Sequence, residues 1–311
     1  MTRKTQDHWA QWLLHRRFGG DPQHEQAMLR ELSAWRDRIL AHAIITPGET
    51  ILDVGCGDGL IAFGALDRVG EEGLVIFSDI SQDLLDHCRS LAQQLQVLDR
   101  CRFVRAPADD LAAIAPGSVD AVTTRSVLIY VQAKQQAFHE FYRVLKPGGR
   151  LSIFEPINRF CFPEPPQVFL GYDVTPIQEI AAKLRAVFER IHAPESSPLL
   201  NFDERDLLTF AERAGFAEIR LELQATIKQP KPLDSNNEMT RATWETLLKS
   251  SGNPLNPTLE EAMAQALSPQ EAEQFTAYLL PLVETMQGHE RQAVAYLWAM
   301  KRYGSSSGHY T

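Results

Sequence analysis

Two aspartates and three glycines, by type and spacing, carry the chemical signal of this chain. The run Asp53-Val54-Gly55-Cys56-Gly57-Asp58-Gly59 joins a short apolar segment, Thr50–Val54, to a helical pattern that begins at Leu60. Residues without a Cβ let the chain turn sharply and let a ligand approach the main chain. The helix start that follows presents N–H groups with no partner inside the helix. A bare strand-to-helix turn would also use glycine, but it has no need of three alternating glycines with two carboxylates among them. Two ligand classes compete for such a loop. A dinucleotide fingerprint requires GxGxxG facing a pyrophosphate. Here the spacing is GxGxG, and Asp53 stands before the first glycine, where a carboxylate repels pyrophosphate and suits a cationic group. Asp79, twenty residues after Gly59, ends the next apolar segment, where it can accept both hydroxyls of a ribose. Ribose recognition serves a nicotinamide cofactor equally, so Asp53 and the glycine spacing do the discriminating.

The elements that position these residues alternate. Strands are expected at Thr50–Val54, Leu74–Phe77, Cys101–Arg105, Val119–Thr124 and Arg150–Phe154, with helices at Leu60–Val69, Ser81–Leu95 and 134–144 between them. The last helix is expected to stop at Lys146-Pro147-Gly148-Gly149, since proline cannot continue it and glycine suits its end. Apolar strands alternating with helices predict an α/β fold: a Rossmann-like, doubly wound, mostly parallel sheet covered on both faces. Two helical patterns precede it, through Trp9, Trp12 and Leu13 and, after Gly19-Gly20-Asp21-Pro22, through Leu29 to Ile39. Beyond the fifth strand the rhythm breaks. A Pro- and aromatic-rich stretch, Phe160–Pro166, leads to a helix over Pro176–His192. Sheet-like order returns with a helix at Asp203–Ala214, a Gly215 stop, and strands at Glu218–Ile227 and Gln292–Met300. The organisation predicted is an N-terminal helical arm (1–45), a core of 46–156, 201–228 and 291–303, helical lid insertions at 157–200 and 229–290, and a flexible tail (304–311).

Composition narrows the function. With 31 Lys+Arg against 40 Asp+Glu, the formal charge is 31 − 40 = −9. That balance disfavours a nucleic-acid binder, which needs a basic footprint. No apolar run reaches the 18 or more residues a membrane span needs, and Met1–Asp7 is polar, so no secretory signal is expected. The four cysteines (Cys56, Cys88, Cys101, Cys161) form no CxxC pair, so neither a disulfide framework nor a metal site is expected, and free thiols suit the cytoplasm.

The run ILDVGCGDG, the SDIS at the end of the second strand and the stretch LKPGGRLSIFEP resemble a class I S-adenosylmethionine-dependent methyltransferase of the small-molecule type. The resemblance is strong over roughly residues 45–155 and weaker at 203–228 and 292–302. It implies a seven-stranded sheet with the last strand antiparallel, S-adenosyl-L-methionine as cofactor and S-adenosyl-L-homocysteine as product. Residue by residue, it implies that Asp53 and the backbone of Gly55, Cys56 and Gly57 surround the methionine part. It gives the ribose hydroxyls to Asp79, the adenine face to Ile80 and an adenine N–H contact to Ala108. Relatives commonly carry Gly-Asp-Ala after the third strand. Here the run is Ala106-Pro107-Ala108, so Asp109 or Asp110 is the substitute for the missing acid. Arg125 matches a position whose backbone carbonyl commonly meets the methionine amine.

Methyl transfer from a sulfonium is an in-line displacement with the leaving group already activated, so such an enzyme mainly aligns the acceptor and excludes water. A base is needed only where the acceptor must first lose a proton. Glu155 and Tyr130 are the catalytic candidates, and Trp12, Tyr130, Glu155, Asn158 and Arg159 the candidate substrate-pocket residues; cap, loop or packing roles compete at each. After the fourth strand the chain reads Thr124-Arg125-Ser126-Val127-Leu128-Ile129-Tyr130, not the Asn-Pro-Pro-Tyr or Asp-Pro-Pro-Tyr of many nucleic-acid amino-methylating enzymes. The expectation is therefore a cytoplasmic enzyme of secondary or cofactor metabolism that methylates oxygen, nitrogen or carbon of a small, partly apolar metabolite. Its expected partner is that small molecule, with neither nucleic acid nor membrane; a homodimer through the insertions is compatible with the sequence. The alternatives are a cofactor-binding enzyme with non-methylating chemistry and a catalytically silent binding protein.

Overall fold

The computed structural model describes residues 7–191, 197–230 and 243–303. The expected tail, 304–311, and His192 at the end of the expected helix lie outside them. The chain divides into two compact units. One comprises Ala34–Pro156, Phe202–Leu223 and Val294–Thr311; the other comprises Met1–Ser33, Ile157–Asn201 and Gln224–Ala293. The division falls between Ser33 and Ala34, inside the long helix α2 (Pro22–His42).

The first unit is built on the sheet. Strands β1 (Thr50–Val54), β2 (Leu74–Asp79), β3 (Cys101–Arg105) and β4 (Val119–Arg125) run parallel with the first part of β5 (Leu145–Pro156). The seven-stranded order is β3-β2-β1-β4-β5-β9-β8, where β8 is Ala217–Lys228 and β9 is Glu290–Met300. β9 pairs antiparallel with β5, Ser152 opposite Trp298. β1 and β2 are apolar on both faces because helices cover both faces of the sheet. Ile51, Leu52, Val75 and Phe77 are buried, and α3 (Leu60–Val69) buries Ile61, Ala62, Ala65 and Val69 against Ile51, Val75 and Phe77. Ser81 caps α4 (Gln82–Gln94) by accepting from Leu84 N–H, and a reciprocal Asp203–Asp206 capping box starts α7 (Glu204–Ala214). Both devices satisfy N–H groups that helix starts leave open.

One boundary differs from the sequence pattern. α5 (Lys134–Val144) ends where expected, but the Lys-Pro-Gly-Gly segment belongs to β5. Gly148 N–H donates to Lys301 O and Lys301 N–H to Gly149 O, while the β4–β5 register shifts between Val119 and Ala121. The glycines serve an irregular strand start as well as a helix stop.

The second unit is mainly helical. α1 (His8–Gln11) passes into a π-helical turn at Trp12–Arg16. α6 (Gln178–Ile191), α8 (Trp244–Lys249), α9 (Leu259–Ala266) and α10 (Pro269–Glu284) follow later in the chain, with a short hairpin of β6 (Val168–Phe169) and β7 (Tyr172–Asp173). Its core gathers Phe169, Leu184, Val187, Leu259, Phe275 and Leu279. Among the described residues no helix is long and apolar enough to cross a membrane.

Candidate active site

The glycine loop sits at the carboxyl end of β1, where open α/β sheets take ligands. Its backbone is fixed from β2: Cys56 N–H donates to Ser78 O, and Gly57 N–H donates to Asp79 Oδ2, each at 2.9 Å. Gly55 (φ +65°) and Gly57 (φ +56°) occupy the left-handed region that side chains disfavour. At Gly55 a Cβ would also lie 2.3 Å from Val127 Cγ2. Packing against the β4–α5 segment therefore requires that glycine, independently of any ligand.

Asp53 is 2% exposed on β1. Its Oδ1 accepts from Thr123 Oγ1 at 2.8 Å. Its Oδ2 is buried with no hydrogen-bond partner among the described residues. Burial raises its pKa to about 7, opposed by the Thr123 hydrogen bond and the charge of Arg125. Thr123 carries no obvious sequence signal beyond a polar Thr123-Thr124 pair inside an otherwise apolar buried strand.

Asp79 closes β2. Besides Gly57 N–H, it accepts Ser81 N–H on Oδ1 at 2.9 Å, so both carboxylate oxygens are held in place by backbone. Ile80 beside it is 42% exposed, an apolar face open for stacking. Ala106 N–H donates to Asp79 O and Arg105 Nε to Ile80 O, which draws the segment after β3 alongside the tip of β2. Ala108 is buried there and Asp109 half-buried. Asp110 is exposed and accepts from Ala112 N–H of its own turn.

Glu155, near the end of β5, faces the turn that follows β4. It is fully buried, and its carboxylate accepts three backbone N–H groups: Val127 and Leu128 on Oε1 at 2.9 Å and Ile129 on Oε2 at 3.2 Å. Through these bonds Glu155 holds the turn that leads to Tyr130. Burial raises its pKa to about 7 against those three hydrogen bonds and the nearby Lys134 charge. Lys134 is itself buried, its pKa lowered by burial to about 8, and its Nζ donates to Val131 O. Tyr130 is half-buried at the end of the Leu128–Tyr130 turn.

Asp53, Gly55, Cys56, Gly57, Asp79, Ile80, Ala108, Asp109, Arg125, Tyr130 and Glu155 all belong to the sheet unit. Trp12, Asn158 and Arg159 belong to the helical unit. There Trp12 Nε1 donates to Ser251 O at 2.7 Å and Asn158 Nδ2 to Leu199 O at 3.2 Å, while Arg159 is exposed. Among the described residues no cluster of His, Cys, Asp or Glu could hold a metal ion.

Residues 51–149 match a family model described as a methyltransferase domain. Over 128 residues the chain is 33% identical to an arsenite methyltransferase of Halobacterium salinarum, covering 41% of this chain and 32% of that protein. Over 185 residues it is 27% identical to the ubiquinone/menaquinone biosynthesis C-methyltransferase UbiE of Haemophilus ducreyi, covering 60% and 71%. With the UbiE of Vibrio cholerae it shares 36% over 109 residues, 35% and 42% of the two chains. The chain thus spans about a third of the first relative and less than half of the last. Among solved structures, the [4+2]-cyclase SpnF superposes with a TM-score of 0.51 at 19% identity, covering 88% of this chain and 81% of that one. A putative methyltransferase from Bacillus halodurans C-125 superposes with 0.50 at 16%, covering 86% and 98%. A fold shared at these identities says nothing of the reaction. The family match and the sheet order together identify residues 51–149 as a methyltransferase domain of the class I, S-adenosylmethionine-dependent family.

Proposed function

We propose that the chain binds S-adenosyl-L-methionine in its sheet unit and transfers the methyl group to a small, partly apolar acceptor, releasing S-adenosyl-L-homocysteine. The observation that carries this reading is the buried, unpartnered Oδ2 of Asp53 beside a glycine loop, with Asp79 fixed at the tip of the neighbouring strand. These residues fit the cofactor. Asp53 offers an anion for the methionyl ammonium, Asp79 a carboxylate at the tip of β2 for ribose hydroxyls, and Ile80 an apolar face for adenine. Ala108 N–H and Asp109 complete the adenine contacts.

When bound, the cofactor supplies a methyl group on a sulfonium, whose departure needs no acid. The chain's own residues then hold and align. Glu155 fixes the Val127–Ile129 turn and through it the place of Tyr130, whose phenol is our candidate for orienting the acceptor. Alignment of two bound reactants and exclusion of water supply the main catalytic effect. The net charge of −9 supports a small molecule over nucleic acid as acceptor, and four free cysteines suit a reducing compartment.

The relatives include an arsenite methyltransferase and C-methyltransferases of ubiquinone/menaquinone biosynthesis, so the test uses arsenite, phenolic and quinol rings and small amines with the methyl-labelled cofactor. A mass gain of one methyl group on an acceptor, lost in the Asp53→Ala variant, is the expected result. Cofactor binding with no transfer to any acceptor class would move the assignment to non-methylating chemistry on the same fold.

A further inference from the structure

This inference rests on the cofactor reading and concerns the methionyl end. At neutral pH that end is a zwitterion, and full recognition needs an anion and a cation held close together. Asp53 is the anion. The cation is Arg125, the last residue of β4 and two positions beyond Thr123. Side chains alternate along a strand, so Arg125 lies on the same sheet face as the Thr123 hydroxyl that holds Asp53, one step nearer the carboxyl edge. It is partly exposed there.

Several other arginines of this unit are engaged. Arg150 bonds Ala43 O and Glu49, Arg143 bonds Glu140 and Leu111 O, Arg100 bonds Leu66 O and Gly70 O, and Arg105 bonds Ile80 O. The Arg125 side chain has no hydrogen bond or ion pair with any described residue, though the charges of Asp58, Asp53 and Glu155 act on it. A guanidinium stays charged in proteins and carries five N–H donors in a planar fork that matches a carboxylate. Held near acids but bonded to none, it keeps those donors for an incoming anion.

We propose that the guanidinium of Arg125 is the counter-ion of the cofactor's carboxylate. With Asp53 on the ammonium, the methionyl head is then held at two charged points, which fixes the direction of the bond to the methyl group.

The test is calorimetric titration of the wild-type chain, Arg125→Gln and Arg125→Lys. The probes are S-adenosylhomocysteine, its decarboxylated analogue and 5′-methylthioadenosine, which lacks the amino-acid head altogether. Loss of a charge-assisted hydrogen bond weakens binding by about tenfold or more. Arg125→Gln is expected to lose that factor for S-adenosylhomocysteine and nothing for the other two probes, with Arg125→Lys intermediate. Wild-type affinity in Arg125→Gln, or an equal loss on all three probes, overturns the proposal. Should Arg125→Gln not fold, the wild-type chain decides alone: equal affinity for S-adenosylhomocysteine and its decarboxylated analogue overturns the proposal, and a tenfold preference supports it. Failure of the wild-type chain to bind any probe overturns the cofactor reading instead.

Discussion

Asp53→Asn is expected to stabilise the ligand-free protein while destroying the site. The carboxyl of Asp53 has its pKa raised from 3.8 to about 7 by burial. Between those values the folded chain keeps a proton that the unfolded chain has released. Stability therefore falls as pH rises from about 4 to 7, and the penalty is complete above 7. Roughly three pH units at 1.36 kcal/mol each set a ceiling of about 4 kcal/mol. Asparagine keeps an acceptor for Thr123 Oγ1 but places an amide at the position of the unpartnered Oδ2, which costs about 1–3 kcal/mol. The net gain above pH 7 is then about 1–3 kcal/mol, or a rise in urea midpoint of about 0.3–1 M at a slope near 3 kcal/mol/M. The assay is urea unfolding of wild type and Asp53→Asn at half-unit steps from pH 5 to 8. Glu155 adds its own slope to both proteins and cancels in the difference. The midpoint difference should widen in favour of the variant as pH rises and level off above 7. A pH-independent difference would refute the assignment of a strained, ionisable Asp53.

Because the ammonium needs an ionised Asp53, cofactor affinity should rise about tenfold per pH unit up to 7 and then level off. Titrations from pH 5.5 to 8.5 read this directly, and a flat profile counts against the Asp53 contact. Asp79→Ala should weaken S-adenosylhomocysteine and 5′-methylthioadenosine alike by about 1.5–3 kcal/mol, since both carry the ribose. Wild-type affinity in that variant would remove the ribose assignment. Gly55→Ala should destabilise by about 2–4 kcal/mol, from the left-handed backbone and from overpacking against Val127. Val127→Ala should recover part of that loss, and strictly additive urea midpoints would show that the two residues do not meet.

The glycine loop and its place between β1 and α3 were legible because the signal is local: Asp53, the glycines and Asp79 fall within 27 residues. The strand-helix alternation placed the sheet for a similar reason, each buried strand being a short apolar run. What stayed hidden depends on long-range pairing. Gly55 is required by Val127, 72 residues away, and no sequence pattern links them. Glu155 reads as a polar residue beyond a strand, yet it turns inward to accept N–H groups from a segment 26–28 residues earlier. The β5 start in Lys-Pro-Gly-Gly became visible only through its bonds to Lys301. The division inside α2 left no trace because the helix continues through it without a break.

The central claim is that the sheet unit holds a sulfonium cofactor rather than a dinucleotide. Calorimetric titration of the purified chain with S-adenosylmethionine, S-adenosylhomocysteine and NADH tests it most directly. Saturable binding of the first two, with none for NADH, is the predicted result. Binding of NADH alone would contradict it.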